Sequence, residues 1–161
     1  MEEARYATEL DAPILAELNQ EMIEASGHKT DLDRQALEQR MRSWLALRDY
    51  ECVLFFRSIV PIGYALFRGG SEIHLRQFLI RQPYRRGGVG RSAFRFLTGE
   101  VWSSAHAVQL DVHSDNYVAL SFWRSLGFQG QPEAMRLTIA SNNSLNTDRL
   151  FHWRSKAARL S

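Results

Sequence analysis

The residues best suited to chemistry lie in one short stretch, Arg85-Arg86-Gly87-Gly88-Val89-Gly90-Arg91. An apolar run, Phe78-Leu79-Ile80, precedes it. A helical pattern follows, with Val89, Ala93, Leu97 and Val101 on one face. The first turn of a helix carries unpaired backbone N–H groups and the positive end of the peptide dipole. Glycines at 88 and 90 have no Cβ, so a bulky anion can approach those groups closely. The guanidiniums of Arg85, Arg86 and Arg91 suit phosphate oxygens. The stretch reads as a pyrophosphate cradle.

Two motif families fit that spacing. Gly88-x-Gly90-x-x-Ala93 satisfies the dinucleotide pattern G-x-G-x-x-G/A, and Asp111 lies about 20 residues further on, where that pattern wants its ribose acid. A dinucleotide turn, however, leaves its strand almost directly into the glycines, whereas Arg81 to Gly87 intervene here. The G-x-x-x-x-G-K-[ST] of a P-loop is missing. The other match is Arg85-x-x-Gly88-x-Gly90 behind a strand. About 30 residues downstream comes Leu110-x-Val112-x-x-x-Asn116-x-x-Ala119-x-x-Phe122-Trp123-x-x-x-Gly127-Phe128. In this order the two segments resemble the signatures of the GNAT superfamily of N-acetyltransferases, a resemblance that spans the chain from about Ala4 to Ile139.

The periodicities supply the elements that position these residues. Arg5 to Thr8 reads as a short strand. A helix capped by Asp11 runs to about Ala25, with Leu15, Leu18 and Met22 on one face. A second helix runs from about Leu32 to Leu47 and groups Leu37, Met41, Trp44 and Leu45. Cys52 to Arg57 and Ile62 to Phe67 form a hairpin around Ser58, and Ile73 to about Arg81 makes the strand that feeds the cradle. After the cradle helix, Val108, Leu110 and Val112 alternate as a strand. A helix capped within Ser114 to Asn116 turns Val118, Ala119, Phe122 and Leu126 toward the sheet, and Met135 to Ala140 is a last strand. The order is β-α-α-β-β-β-α-β-α-β. It is similar to the GNAT fold, an α/β (α+β) class with a mixed, mainly antiparallel twisted sheet flanked by helices.

The resemblance implies acetyl-CoA as co-substrate, lying where the strand before the cradle and the strand after its helix splay apart. Carried over by position, Leu79 and Ile80 offer backbone groups to the pantetheine arm. Arg85, Arg86, Gly87, Gly88, Val89 and Gly90 take the pyrophosphate, with Arg91 beside them, and Asn116 bonds the pantetheine side. The acceptor is a primary amine of a small molecule or a peptide. An alkyl ammonium has a pKa near ~10.4, so the site must remove a proton before nitrogen attacks the thioester. Two residues sit where related enzymes keep a base. Asp111 matches the glutamate of ribosomal-protein N-terminal acetyltransferases and is the first candidate; His74 matches the glutamate of histone-type enzymes and is the second. His113, on the Asp111 face, can relay a proton. The position of the usual tyrosine acid holds Trp123, whose indole N–H cannot give up a proton in turnover. Trp123 can bond the sulfur, wall the pocket or simply pack.

Composition bounds the rest. The 161 residues make one domain, taken as 1–140, with 45% hydrophobic and 24% charged residues. The formal net charge of +2 does not call for nucleic acid. Cys52 is the single cysteine, in an apolar run where an inert core thiol is expected. No run of 18 apolar residues exists and the N-terminus is acidic, so a cytoplasmic location without membrane or metal is expected. The tail 141–161 mixes Leu150, Phe151 and Trp153 with arginines and either packs, joins a second subunit of a homodimer, or frays. The acceptor groove is expected from the linker Ser26 to Thr30, the turn Arg68 to Glu72 and the loop Gln129 to Glu133. Two further function classes stand beside the enzyme: an acyl-CoA-binding module without turnover, and a dinucleotide-dependent enzyme.

Overall fold

A computed structural model describes residues 1–139; the expectations for the 141–161 tail fall outside them. Six strands form one sheet in sequence order, β1 (Glu3–Tyr6), β2 (Glu51–Arg57), β3 (Val60–Arg68), β4 (Glu72–Ile80), β5 (Ala107–Leu110) and β6 (Met135–Thr138). Every neighbouring pair is antiparallel except β4 and β5. Helices α1 (Ala12–Ala25) and α2 (Arg34–Ala46) join β1 to β2, α3 (Val89–Phe96) joins β4 to β5, and α4 (Tyr117–Ser125) joins β5 to β6. The mainly antiparallel, mixed sheet matches the sequence reading. It is not the parallel sheet that a dinucleotide fold needs.

The sheet has apolar residues on both faces, which is why β2 and β3 read as nearly continuous hydrophobic runs. On one face Leu54, Tyr64, Leu66 and Leu79 pack under Leu15, Leu18 and Met41 of α1 and α2. On the other, Phe55, Phe67, Ile73 and Leu75 meet Phe94, Leu97, Trp102, Trp123 and Phe128. Cys52 lies fully buried on the first face, and burial pushes its thiol far above the ordinary range. Helix α3 widens into a π turn over Leu97–Val101, where Trp102 N–H reaches back five residues to the Leu97 carbonyl at 2.7 Å.

Several boundaries and one face differ from the sequence reading. Asp11 precedes α1, but its side chain does not cap that helix. Its carboxylate instead accepts two 2.8 Å bonds from Arg5 and one of 2.8 Å from Thr8 N–H. Val118, expected to face the sheet, is 75% exposed; Leu120 and Trp123 are the buried residues of α4. The cause is rotation of the apolar stripe along this short helix, and the side chains of Tyr117 and Val118 stand out into solvent.

Burial acts to raise the Asp11 carboxyl, but Arg5 and Thr8 outweigh it, and its pKa falls below the ordinary value. A depressed carboxylate contributes stability above its unfolded pKa of about 4 and loses it as pH falls through the folded value. Asp11→Asn is therefore expected to destabilise the fold by about 1–3 kcal/mol at neutral pH. The difference should shrink progressively below about pH 4, read from urea unfolding at pH 7 and pH 3.

Candidate active site

The site begins where two parallel strands part. β4 pairs with β5 at three positions only, Glu72 with Ala107, Ile73 with Val108 and His74 with Gln109. That closed end is pinned by Glu72, which accepts from Arg136 at 2.6 and 3.1 Å and from Gln109 at 3.0 Å. Beyond His74 the strands diverge. β5 ends at Leu110, and Val112 N–H bonds the Pro132 carbonyl at 2.8 Å instead of β4. β4 meanwhile follows β3, and its pairing shifts between Leu66 and Phe67, which leaves Arg76 as an extra, bulged residue. From Leu75 to Ile80, β4 therefore presents an edge without a strand partner on the β5 side among the described residues.

The cradle sits at the open end of that cleft. Gly88 takes φ +75°, a left-handed conformation that a side chain disfavours, and opens α3 directly behind the loop. The first helical bond runs from Ser92 N–H to the Gly88 carbonyl at 2.9 Å, so the N–H groups of residues 88–91 have no helical acceptor. Arg86 lies alongside at φ +70°, exposed. Arg85 donates its Nε–H to the Ile80 carbonyl at 2.6 Å and staples the loop onto the strand end.

At the opposite, closing end, His74 and Asp111 meet. His74 Nε2 lies 3.8 Å from Asp111 Oδ2, an ion-pair separation longer than a hydrogen bond, and both side chains are reached by solvent. The two alternative bases are thus neighbours across the point where the strands part. Two residues past Asp111, His113 meets His28 of the α1–α2 linker, with ring centroids 4.0 Å apart and the rings tilted by 40°. An anion cradle, a strand edge with free backbone groups and a titratable pair now lie along one cleft.

Residues 12–128 match the Acetyltransferase (GNAT) family. The chain belongs to this family. Solved structures agree in fold. An acetyltransferase from Thermus thermophilus gives a TM-score of 0.66 at 19% identity, covering 83% of this chain and 94% of that one. The PaiA N-acetyltransferase from Thermoplasma acidophilum, in complex with coenzyme A, gives 0.65 at 15% identity over 84% and 99%. The ribosomal-protein-alanine N-acetyltransferase from Brucella melitensis gives 0.62 at 20% identity over 84% and 99%. No curated protein matches the sequence.

Seen as a GNAT acetyltransferase, the chain places its expected site residues unevenly. The Leu79 carbonyl lies against Gly63 of β3, where a Cβ at residue 63 would stand only 2.1 Å from it. Backbone direction alternates along a strand, so the groups facing the cleft belong to Phe78 and Ile80 and not to Leu79. The Ile80 carbonyl already accepts from Arg85, which leaves its N–H. Arg91 is also engaged, donating to Ser125 Oγ at 3.0 Å and to the Ser125 carbonyl at 3.3 Å at the end of α4. Val89 is buried, so only its backbone can serve a ligand. Gly90 approaches Phe122 so closely that a Cβ would stand 3.3 Å from the ring, and packing alone already favours glycine there. Asn116 caps α4, accepting from Ala119 N–H at 3.1 Å.

Trp123 is 6% exposed, ringed by Phe78, Phe94, Phe122 and Phe128 at centroid distances of 4.9–5.6 Å. That cluster belongs to the face of the sheet covered by α3 and α4, whereas His74 and the exposed Asp111 sit outside it. Trp123 is thus packed among aromatic rings.

His28 and the bulge at Arg76 were not legible as site features. A histidine in a Ser-Gly-His-Lys linker shows no periodicity, and a bulge leaves no composition signal. Within the expected acceptor groove, the linker reaches the site through His28. The 68–72 turn is taken up at the closed end, where His106 N–H bonds the Ser71 carbonyl at 2.9 Å.

Proposed function

We propose that this acetyltransferase moves the acetyl group of acetyl-CoA to a primary amine of a small molecule or peptide by direct attack on the thioester. The observation that carries the reading is the His74–Asp111 pair, 3.8 Å apart at the point where β4 and β5 separate. An imidazole takes and gives protons near neutral pH, and a carboxylate beside it stabilises the cation it becomes. His74 accepts the proton of the bound ammonium, directly or through one water, and Asp111 steadies the imidazolium. The freed nitrogen lone pair attacks the thioester carbon, forming the C–N bond and placing charge on the carbonyl oxygen. Backbone N–H groups on the cleft edge of β4 receive that oxyanion. The C–S bond then breaks, the nitrogen's second proton passes to the departing thiolate, and the products are the amide and the free thiol. That thiol has a pKa near ~8.5, so departure does not require the tyrosine that Trp123 replaces.

The cradle supplies the donor end of the same reading. Arg85, Arg86 and the N–H groups of residues 87–90 bind the pyrophosphate of acetyl-CoA. The test is thiol release across a panel of primary amines, with the N-acetyl product identified by mass spectrometry. Amine-dependent release is expected. Tight acetyl-CoA binding with no thiol release from any amine would return the chain to the binding-module reading. In the binding arm, affinity for CoA should exceed that for dephospho-CoA and pantetheine and should weaken with added salt. Saturable NAD binding that CoA competes poorly would point to the dinucleotide reading instead.

A further inference from the structure

Several arginines of this fold pair with an acid. Arg5 pairs with Asp11, Arg42 with Glu38, Arg81 with Glu17 and Glu21, and Arg136 with Glu72. Arg40 and Arg76 have none, and unlike the other arginines without an acid they share one aromatic ring. Both guanidiniums converge on the indole of Trp44, at 4.9 Å and 5.7 Å from the ring. Among the described residues, neither forms an ion pair with a carboxylate. The hydrogen bond of Arg40 goes to the neutral Asn19 Oδ1 at 2.7 Å, and its Nε is buried with no hydrogen-bond partner among the described residues. Burial holds the Arg40 guanidinium below its ordinary pKa, and the Arg76 charge pushes the same way. Two like charges over one indole are an arrangement that an anion would relieve.

Their place in the fold says which anion. Arg76 is the bulged residue of β4, and a bulge re-aims side chains. It turns Arg76 to the α2 side, beside Gln77, whose Oε1 accepts from Tyr64 at 2.9 Å. His74 precedes it by two residues on the same strand, a rise of about 7 Å. A molecule whose nitrogen lies at the His74–Asp111 pair therefore extends its other end toward Arg76 and Arg40.

We propose that Arg40 and Arg76, backed by Trp44, form a carboxylate subsite for the acceptor, so that the substrate class is a primary amine carrying a carboxylate about 7 Å from the reacting nitrogen. An amino acid acetylated on its side-chain amine and a short peptide acetylated at its N-terminus both present that chemistry. The inference rests on the reading of His74–Asp111 as the amine site.

The experiment uses pairs that differ in the carboxylate alone: lysine against cadaverine, ε-aminocaproate against hexylamine, and glycylglycine against glycylglycinamide. The first two pairs report a side-chain amine and the third a peptide. With the wild-type protein, kcat/KM should favour the carboxylate member of at least one pair by about tenfold or more, the loss expected for one charge-assisted pair. Arg76 is exposed, so Arg76→Gln leaves the fold intact. It should abolish the preference by raising KM for the acid while the rate with the matched amine and the affinity for acetyl-CoA stay unchanged. Arg76→Glu should reverse the preference toward cadaverine. Equal rates for every pair, or a preference that survives both Arg76 variants, would overturn the subsite. Calorimetry with ε-aminocaproate and hexylamine separates the two readings. Carboxylate-dependent binding lost in Arg76→Gln, without turnover, keeps the subsite and removes the amine-transfer reading.

Discussion

Asp111→Asn and His74→Gln are each expected to lower kcat by roughly 10²–10⁴ while leaving acetyl-CoA affinity nearly unchanged. Both side chains are substantially exposed, and each substitution keeps size and most hydrogen-bonding capacity, so a lost fold is a poor explanation for a lost rate. The 3.8 Å separation adds a sharper expectation. Groups that act as one unit are not additive, so the double variant should lose little more than the worse single variant. Two independent bases would instead give losses that multiply. The pH profile is the companion measurement. A base works only when unprotonated, so kcat/KM of the wild-type enzyme should fall as pH drops, and that acid limb should vanish when the base is replaced. Unchanged rates and an unchanged acid limb in both single variants, with a confirmed amine acceptor, would remove the pair from the mechanism.

The same pair shows how far the sequence carried. His74 and Asp111 stood out separately as alternatives, because each sits at a family position on its own strand. Their proximity depends on the parallel register that sets His74 beside Gln109, which no local spacing encodes. The order of elements was legible because both faces of the sheet are covered and the apolar runs are strong; the boundaries moved only by a residue or a few. Backbone direction was not legible. Leu79 and Ile80 look equivalent as a dipeptide, and only the β3 pairing turns the Leu79 carbonyl away from the cleft. Arg40 was invisible for a further reason. A charged residue in an amphipathic helix reads as solvated, and its missing acid can be recognised only once every other acid has been placed.

The cradle is best tested at Gly87, and the structure explains why. Gly90→Val would drive its Cβ to 3.3 Å from the Phe122 ring, and Gly88 sits at φ +75°, so either substitution disturbs folding before it disturbs a ligand. A Cβ at residue 87 meets nothing within 4 Å, and its φ lies outside the left-handed region. Gly87→Val is therefore expected to keep the melting temperature while adding a branched side chain to the loop whose N–H groups open α3. Those groups and the two arginines should bind pyrophosphate through charge-assisted bonds, each contributing about 1.5–3 kcal/mol. Losing the approach to one or two of them should weaken acetyl-CoA by about 10- to 100-fold or more. The loss should follow the phosphates. Calorimetry should show CoA weakened strongly and pantetheine, which lacks the pyrophosphate, barely at all. Gly87→Ala should fall between the two, since one methyl obstructs less than an isopropyl. A folded Gly87→Val protein with undiminished CoA affinity would place the pyrophosphate elsewhere, and the loop at 85–91 would be left with a purely structural role in turning β4 into α3.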